Sequence, residues 1–459
     1  MMCLLERWVA LLAAVVLAVA STAQAEAPAP TRLEVCPTAL EPERDGRRAT
    51  VFVHGRDDWL FRRDQDLLVK YTWGANGVAL LERLQADLAA RGTTLIVVRL
   101  PPRGVAHAEQ VDPHAPGADG FDPAAARKAY LDHLSRLRRL DIAVPDLLTA
   151  FDAARATQGP AFRARDHHWR PEGASIAADA IAASIRELPG GDRLPAAAFE
   201  RKDLGTTAAR GALLLGVEKI CGAQNVVDET IMLGKSVPVA GAVDAAALFG
   251  DPPPPEVVVV GASNTNKGGM DRFYFAGALR ESLGTDVLNV GVDGGGLFPP
   301  LSAYLASPAF QEHPPRFLVW VSGAHLRLDD PHRLREVVPR ISTDCSAPIA
   351  QATATVDRPD PREGVVLIDL PDDGVQGDGW TLQIAASDPA LLRYDLTLLH
   401  TDGHSERVGV RRSPRVGVEL PVQVLVSPHS APLQRVSLLP KGPAKGEVRV
   451  AVCKNGIAP

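Results

Sequence analysis

Several chemistries have no footing in this sequence. It holds no Cys-x-x-Cys pair, so a thiolate zinc site or a thioredoxin-like centre has no ligands to start from. It holds no His-Glu-x-x-His, the helical zinc-protease pattern. It also lacks Gly-x-Ser-x-Gly, the nucleophile turn of α/β-hydrolases. Charge of one sign is scarce: 49 Lys and Arg stand against 55 Asp and Glu, a net −6 over 459 residues. That balance excludes general nucleic-acid binding, which needs a basic excess. Beyond the first 20 residues no apolar run is long enough to cross a bilayer. Aromatic residues are only 5% of the chain, although 46% is hydrophobic, so the core must be built mainly from aliphatic side chains.

The start reads as a leader. Arg7 precedes the apolar run WVALLAAVVLAVA (8–20), and AQA (23–25) has the small-x-small cleavage pattern, so residues 1–25 are expected to be a secretory signal peptide. Export then places the protein in the periplasm. Past Cys3, four cysteines remain: Cys36, Cys221, Cys345 and Cys453. In an exported chain an even number suggests disulfides, and four allow three pairings. Cys36–Cys221 with Cys345–Cys453 is favoured, because each bridge then closes one contiguous region. In the chain-entropy model loops of that length stabilise by roughly 4–5 kcal/mol each.

The chain changes texture once. Up to residue 343, helical patterns such as VALLERLQADLAARG (78–92) and PEGASIAADAIAASIREL (171–188) alternate with short apolar runs such as TTLIVVRLP (93–101), DIAVP (141–145), EVVVVGAS (256–263), DVLNVGV (286–292) and PRFLVWVSG (315–323). Continuous apolar strands between helices predict an α/β sandwich around a mostly parallel sheet. From residue 344, short alternating segments separated by turn residues predict a small all-β sandwich. The expected organisation is a leader at 1–25, an α/β domain at 26–343 and a β-sandwich at 344–459. FGDPPPPE (249–256) resembles a linker but falls inside the α/β domain, whose sheet needs the strand after it.

The candidate chemistry begins at RDHHWRP (165–171). In an extended segment residues i and i+2 share a side. Asp166 can therefore reach the His168 imidazole, fix its tautomer and stabilise its protonated form, while His167 faces away. The nucleophile candidate is Ser263, in the turn after the strand 256–260, where sites form in open α/β sheets. Backbone N–H groups at such a turn can stabilise an oxyanion, and Asn289 and Gly291 in NVGVDGGG (289–296) are candidates for further donors. A metal reading would use Asp166, His167, His168 and a distant histidine. Adjacent histidines of an extended chain diverge, so no metal and no cofactor is expected.

These motifs and their order resemble the AlgX/AlgJ family of alginate O-acetyltransferases, SGNH-hydrolase-like proteins with a permuted order of blocks. Asp166-x-His168-Trp169 precedes a small-small-Ser at 261–263, and HGRDDWLFRRDQDL (54–67) matches the family's glycine and Gly-Trp-Leu-Phe entry motif, with Asp58 in place of the usual glycine. The β module after residue 344 and the four-cysteine layout point to the AlgX branch. The resemblance implies Asp166, His168 and Ser263 as acid, base and nucleophile. The family's aromatic or serine-rich stretch after that serine is replaced by Asn264 and Thr265. Its acid after the Val-Trp strand is replaced by Val321.

The implied reaction is transfer of acetyl groups, through an acetyl-serine, to mannuronate hydroxyls of alginate during exopolysaccharide synthesis. The implied partners are an acidic polysaccharide, a membrane-bound acyltransferase that relays the acetyl group, and other export components. The alternatives are a polysaccharide acetylesterase, with water as acceptor, and a non-catalytic binding scaffold. A polyanion needs a local basic surface. Residues 403–459 hold nine Lys/Arg against three Asp/Glu, whereas 357–402 hold ten acids against three arginines. Arg411, Arg412 and Arg415 are the candidate glycan contacts. Trp380 joins them as one of only two aromatic residues after 344, which makes this a candidate carbohydrate-binding module.

Overall fold

The computed structural model describes residues 33–239, 254–358, 364–371, 375, 379–417 and 419–455. The leader assigned to residues 1–25 lies outside the described residues, and the proline stretch is described only from residue 254. Among the described residues no helix is long and apolar enough to cross a membrane.

Four parallel strands form the central sheet. They are β1 (Thr94–Leu100), β2 (Val257–Val260), β3 (Val287–Asn289) and β4 (Phe317–Gly323), in the order β1-β4-β2-β3. The four valines of β2 are all buried, because helices cover the sheet. Among the helices are α1 (Ala75–Ala90), α2 (Pro123–Arg138), α3 (Leu147–Gln158), α4 (Pro171–Glu187), α5 (Ala212–Cys221), α6 (Phe275–Leu283) and α7 (Pro331–Val337). One packed group contains α3, α4 and α6, and another pairs α1 with α7. Leu81, Leu84 and Leu88 put the buried stripe of α1 at helical spacing. Helix α2 starts where the sequence offers a cap and a proline: the Asp122 carboxylate accepts from the Ala124 and Ala125 amides, and Pro123 opens the first turn.

The segment 141–145 is not the strand its residues suggested. It makes one bridge, Ala143 to Ile96. Asp141 turns the chain with φ at 55°, and Pro145 has no N–H to extend a ladder. No residue pattern signals the two-stranded arm, Phe199–Ala209 paired with Glu229–Pro238, whose exposed face carries charge rather than an apolar stripe.

The C-terminal part is two antiparallel four-stranded sheets. One holds β5 (Ala350–Arg358), β12 (Ala444–Lys454), β7 (Trp380–Ala386) and β10 (Val422–Leu425). The other holds β6 (Val365–Asp369), β11 (Leu433–Pro440), β8 (Arg393–His400) and β9 (Ser405–Arg411). Strict alternation along β8 buries Tyr394, Leu396, Leu398 and His400. The sandwich is fastened to α7. Arg335 donates to the Leu425 carbonyl at 2.7 Å and pairs with Glu406 at 2.7 Å, and Arg333 donates to the Arg411 carbonyl at 2.9 Å. Disulfides join Cys36 to Cys221 and Cys345 to Cys453.

Candidate active site

The loop 161–170 closes on itself. Phe162 bridges Trp169, the Arg163 amide donates to the His168 carbonyl, and the Arg170 amide donates to the Ala161 carbonyl. Residues 163–168 are therefore a tight turn, not the extended strand that alternation assumed. Asp166 still reaches His168, because the turn brings the carboxylate back over its own backbone: Oδ1 accepts from the His168 amide at 3.1 Å and from His168 Nδ1 at 2.6 Å. The same turn overturns the expectation for His167. Its ring lies 4.0 Å from the His168 ring instead of on the opposite face.

The second oxygen of Asp166 is held as firmly. Oδ2 accepts from Arg163 Nη1 at 2.6 Å and from the Ala212 amide at 3.0 Å. Ala212 is the first residue of α5, so the carboxylate sits at a positive helix end. Burial alone would raise the Asp166 carboxyl. The hydrogen bond from His168, and then the positive charges of His168, Arg163 and His167, override burial and hold it well below the usual carboxylate range. An ionised Asp166 fixes the His168 proton on Nδ1. His168 Nε2 is then the acceptor, and Ser263 Oγ lies 2.8 Å from it. The Phe273 ring, 5.2 Å away and 25° from parallel, covers one side of the imidazole.

Ser263 is presented by a turn that small residues allow. The Ala262 carbonyl accepts from the Thr265 and Asn266 amides and from the Thr265 hydroxyl. A Cβ on Gly291 would fall 2.0 Å from Thr265 Oγ1, so only glycine fits beside the turn. Trp169 Nε1 donates to the Asn264 carbonyl at 3.0 Å, which ties the serine turn to the histidine loop.

The donors proposed at Asn289 and Gly291 are engaged elsewhere. Asn289 Nδ2 donates to the Thr265 carbonyl at 2.8 Å, and the Gly291 amide donates to Asn289 Oδ1 at 3.0 Å. Both brace the turn from behind, and Gly291 has no second N–H to offer an oxyanion. The backbone amides of Ser263 and Asn264, by contrast, bond no acceptor among the described residues.

A model of the family described as "SGNH hydrolase-like domain, acetyltransferase AlgX" matches residues 52–321. The chain belongs to the AlgX family. It is 30% identical over 388 residues to the alginate biosynthesis protein AlgX of Pseudomonas aeruginosa, covering 83% of this chain and 79% of that one. It is 27% identical over 281 residues to a probable alginate O-acetylase AlgJ of Pseudomonas syringae pv. tomato, covering 60% and 68%. A solved structure of Pseudomonas aeruginosa AlgX superposes with a TM-score of 0.78 at 25% identity, over 92% of this chain and 99% of that one. The chain is thus an AlgX-type acetyltransferase with an SGNH-hydrolase-like fold.

Within this AlgX-family site, Ser263 opens on a cavity of about 190 Å³ whose walls include Arg62, His167, Asn264, Leu297 and His325. Burial, followed by the nearby charges of His168 and Arg62, pushes His167 down to about 3, and burial takes His325 down to about 4. Asp166, His167 and His168 bring three possible metal-ligating atoms within 4.8 Å of one another. An ion there would have to displace the Asp166–His168 hydrogen bond, and the atoms it would take already hold and orient a proton.

The basic residues of the sandwich divide. Arg411 and Arg412 border a separate cleft of about 60 Å³ against Arg333, Glu336 and Arg340. Arg412 also donates to the Leu420 carbonyl at 2.7 Å. Arg415 reaches the Asp293 carbonyl at 3.3 Å, on the loop where Asp293 pairs with Lys267; burial would raise the Asp293 carboxyl, but hydrogen bonds from Lys267 and the Gly268 amide, and then the charges of Lys267 and His168, hold it down. Trp380 is half-buried and packs on the core of the sandwich, away from the role of an open stacking platform. The sequence reading missed Arg163. Its signal was its place three residues before Asp166 in RARDHHW.

Proposed function

We propose that the protein transfers acetyl groups to mannuronate hydroxyls of alginate in the periplasm, with Ser263 as nucleophile, His168 as base and Asp166 as its orienting acid. The observation that carries this reading is the unbroken hydrogen-bonded run from Asp166 through His168 to Ser263 at the mouth of a cavity. The names of the AlgX and AlgJ relatives supply the polymer. Two disulfides agree with an oxidising compartment.

In the first half-reaction His168 Nε2 takes the Ser263 proton as Oγ adds to the carbonyl carbon of an acetyl ester. The oxyanion meets the Ser263 and Asn264 amides, which are free to donate. Collapse breaks the bond to the leaving oxygen, which takes the proton from His168, and acetyl-Ser263 remains. In the second half a sugar hydroxyl gives its proton to His168 and adds to the acetyl carbon. Collapse of that adduct returns the proton to Ser263 and releases the O-acetyl sugar. The site requires no cofactor for these steps. A membrane-bound acyltransferase is the expected source of the acetyl group.

The test is Ser263→Ala, followed by acetyl transfer from an activated ester to mannuronan oligomers and by acetate release to water. Loss of both by a factor of at least about 10³ is expected, since losing a nucleophile costs several powers of ten. Undiminished transfer by this variant would sink the proposal. Faster release to water than to oligomers at saturating acceptor would turn the reading to an esterase.

A further inference from the structure

The cavity at Ser263 does not end at its own walls. His325 and Leu326 line it and also line an adjoining cavity of about 110 Å³. That second cavity shares Lys70, Tyr71, Trp73 and His133 with a wider cleft of about 450 Å³, which Arg136 of α2 and Arg139, just past its end, border. The three hollows share wall residues and so adjoin one another in series, from the serine to the C-terminal end of α2.

The chemistry of that end is one-sided. His133 Nε2 lies 3.2 Å from Arg99 Nε. Arginine only donates, so His133 accepts at Nε2 and carries its proton on Nδ1. His133 is 6% exposed, and Nδ1 has no partner among the described residues. The Tyr71 ring stacks on His133 at 4.3 Å, and its buried hydroxyl is also unpartnered. Burial pushes the Tyr71 hydroxyl up and the His133 imidazole down to about 2, so both are neutral donors. Three cations, Lys70, Arg136 and Arg139, line the same cleft. Arg136 lies over Trp73 at 5.1 Å, and Lys70 and Arg139 have no acidic partner among the described residues. The nearby acid, Asp132, is taken by Lys128 at 2.6 Å. Two unsatisfied donors and three cations, beside aromatic rings, form a receptor for a carboxylate carried on a ring with an apolar face.

We propose that this cleft binds a uronate residue of the acceptor polymer, several sugars along from the one that meets Ser263. The carboxylate sits among Lys70, Arg136 and Arg139, and Tyr71 on its irregular segment turns to bring its hydroxyl and the His133 N–H into contact. The subsite rests on the reading of the protein as an acetyltransferase of a polyuronate. It adds that the polymer runs past the serine and is held beyond it.

The test uses the full chain carrying Lys70→Ala, Arg136→Ala and Arg139→Ala together, and Tyr71→Phe separately. The probes are polymannuronate oligomers too short to leave the serine cavity, long ones, and long ones with their carboxyls reduced to alcohols. The triple variant is expected to raise KM for long oligomers by about tenfold, the equivalent of roughly 1.4 kcal/mol, at unchanged kcat. It should leave short oligomers and the hydrolysis of a simple acetyl ester unchanged. Tyr71→Phe should raise the same KM by a few-fold with folding intact. An unchanged KM for long oligomers overturns the proposal, and so does equal weakening of the carboxyl-reduced ones. Calorimetric binding of long oligomers to Ser263→Ala protein separates the two readings. Should the transferase assignment fail, a tenfold weaker affinity on adding the triple substitution still upholds the cleft, and an unchanged affinity removes it.

Discussion

Arg163 donates to Asp166 at 2.6 Å and to the Ala209 carbonyl at 2.5 Å, and its guanidinium pairs by charge with Glu229 at 3.2 Å. It is 3% exposed, so the charges it pairs are out of water. Arg163→Met is therefore expected to cost about 3–5 kcal/mol in denaturant unfolding, the usual penalty for breaking one side of a buried pair. Arg163→Lys should recover part of that loss and part of kcat, because a point charge replaces a two-pronged contact. Unaltered stability of the methionine variant would mean that α5 and His168 alone suffice for Asp166. Histidines set a second residue-scale expectation. Burial depresses His133 to about 2, against 6.5 for the free side chain. Below 6.5 the unfolded chain takes a proton that the folded chain refuses, so stability falls as pH drops, by about 1.4 kcal/mol per pH unit for this one group. Asp166 acts lower down: its contribution is complete above the ordinary carboxylate value of 3.8 and is lost only as pH falls beneath it. Stability measured between pH 7 and 5 should therefore slope downward toward acid, and His133→Phe should flatten part of that slope.

At the scale of elements, the serine turn and the histidine loop are separate pieces of chain joined by the His168–Ser263 hydrogen bond and by one indole. Trp169→Phe keeps the ring against Phe275, 4.8 Å away, and removes the N–H that holds the Asn264 carbonyl. The expected outcome is a kcat lowered by about tenfold with a small change in melting temperature, since one neutral hydrogen bond contributes about 1 kcal/mol. A kcat equal to that of the parent would show that the turn holds its own position. What was legible here followed from local rules. The valine run of β2, the helix spacing of α4 and the alternation of β8 each carry their period in the residues themselves. The serine could be named from its place at the end of β2, whereas Asp166 and His168 are only near in sequence, and a tight turn rather than extended alternation brings them together. The direction of His167 could not be read, because it depends on the bridge between Phe162 and Trp169, and nothing in RDHHWRP announces that the loop folds back. The use of Asn289 and Gly291 as braces was hidden too, since it depends on how closely β3 approaches the turn after β2.

For the whole molecule, the β-sandwich and the α/β body meet through arginines of α7 and the turn after it, and through Arg415 on the Asp293 carbonyl. Arg335 is 7% exposed and bonds two strands of the sandwich at once. Arg335→Ala is expected to split a single calorimetric transition into two and to lower the stability of the sandwich by about 3–5 kcal/mol. One sharp transition at the parent temperature would show that apolar contact alone unites the parts. The texture change near residue 344 could be read from composition, but this junction could not. Its contacts are guanidinium to carbonyl across 90 residues of chain between Arg335 and Leu425, and no periodicity records them.

Helix α5 links two features that seem unrelated. Its first amide grips the carboxylate that steers His168, and its last residue is the cysteine bonded to Cys36. Chain made where thiols stay reduced would lose the tether at one end of this rod and with it the firmness of the grip at the other. Redox conditions during maturation thus reach the hydrogen-bonded run from Asp166 to Ser263 through ten residues of helix.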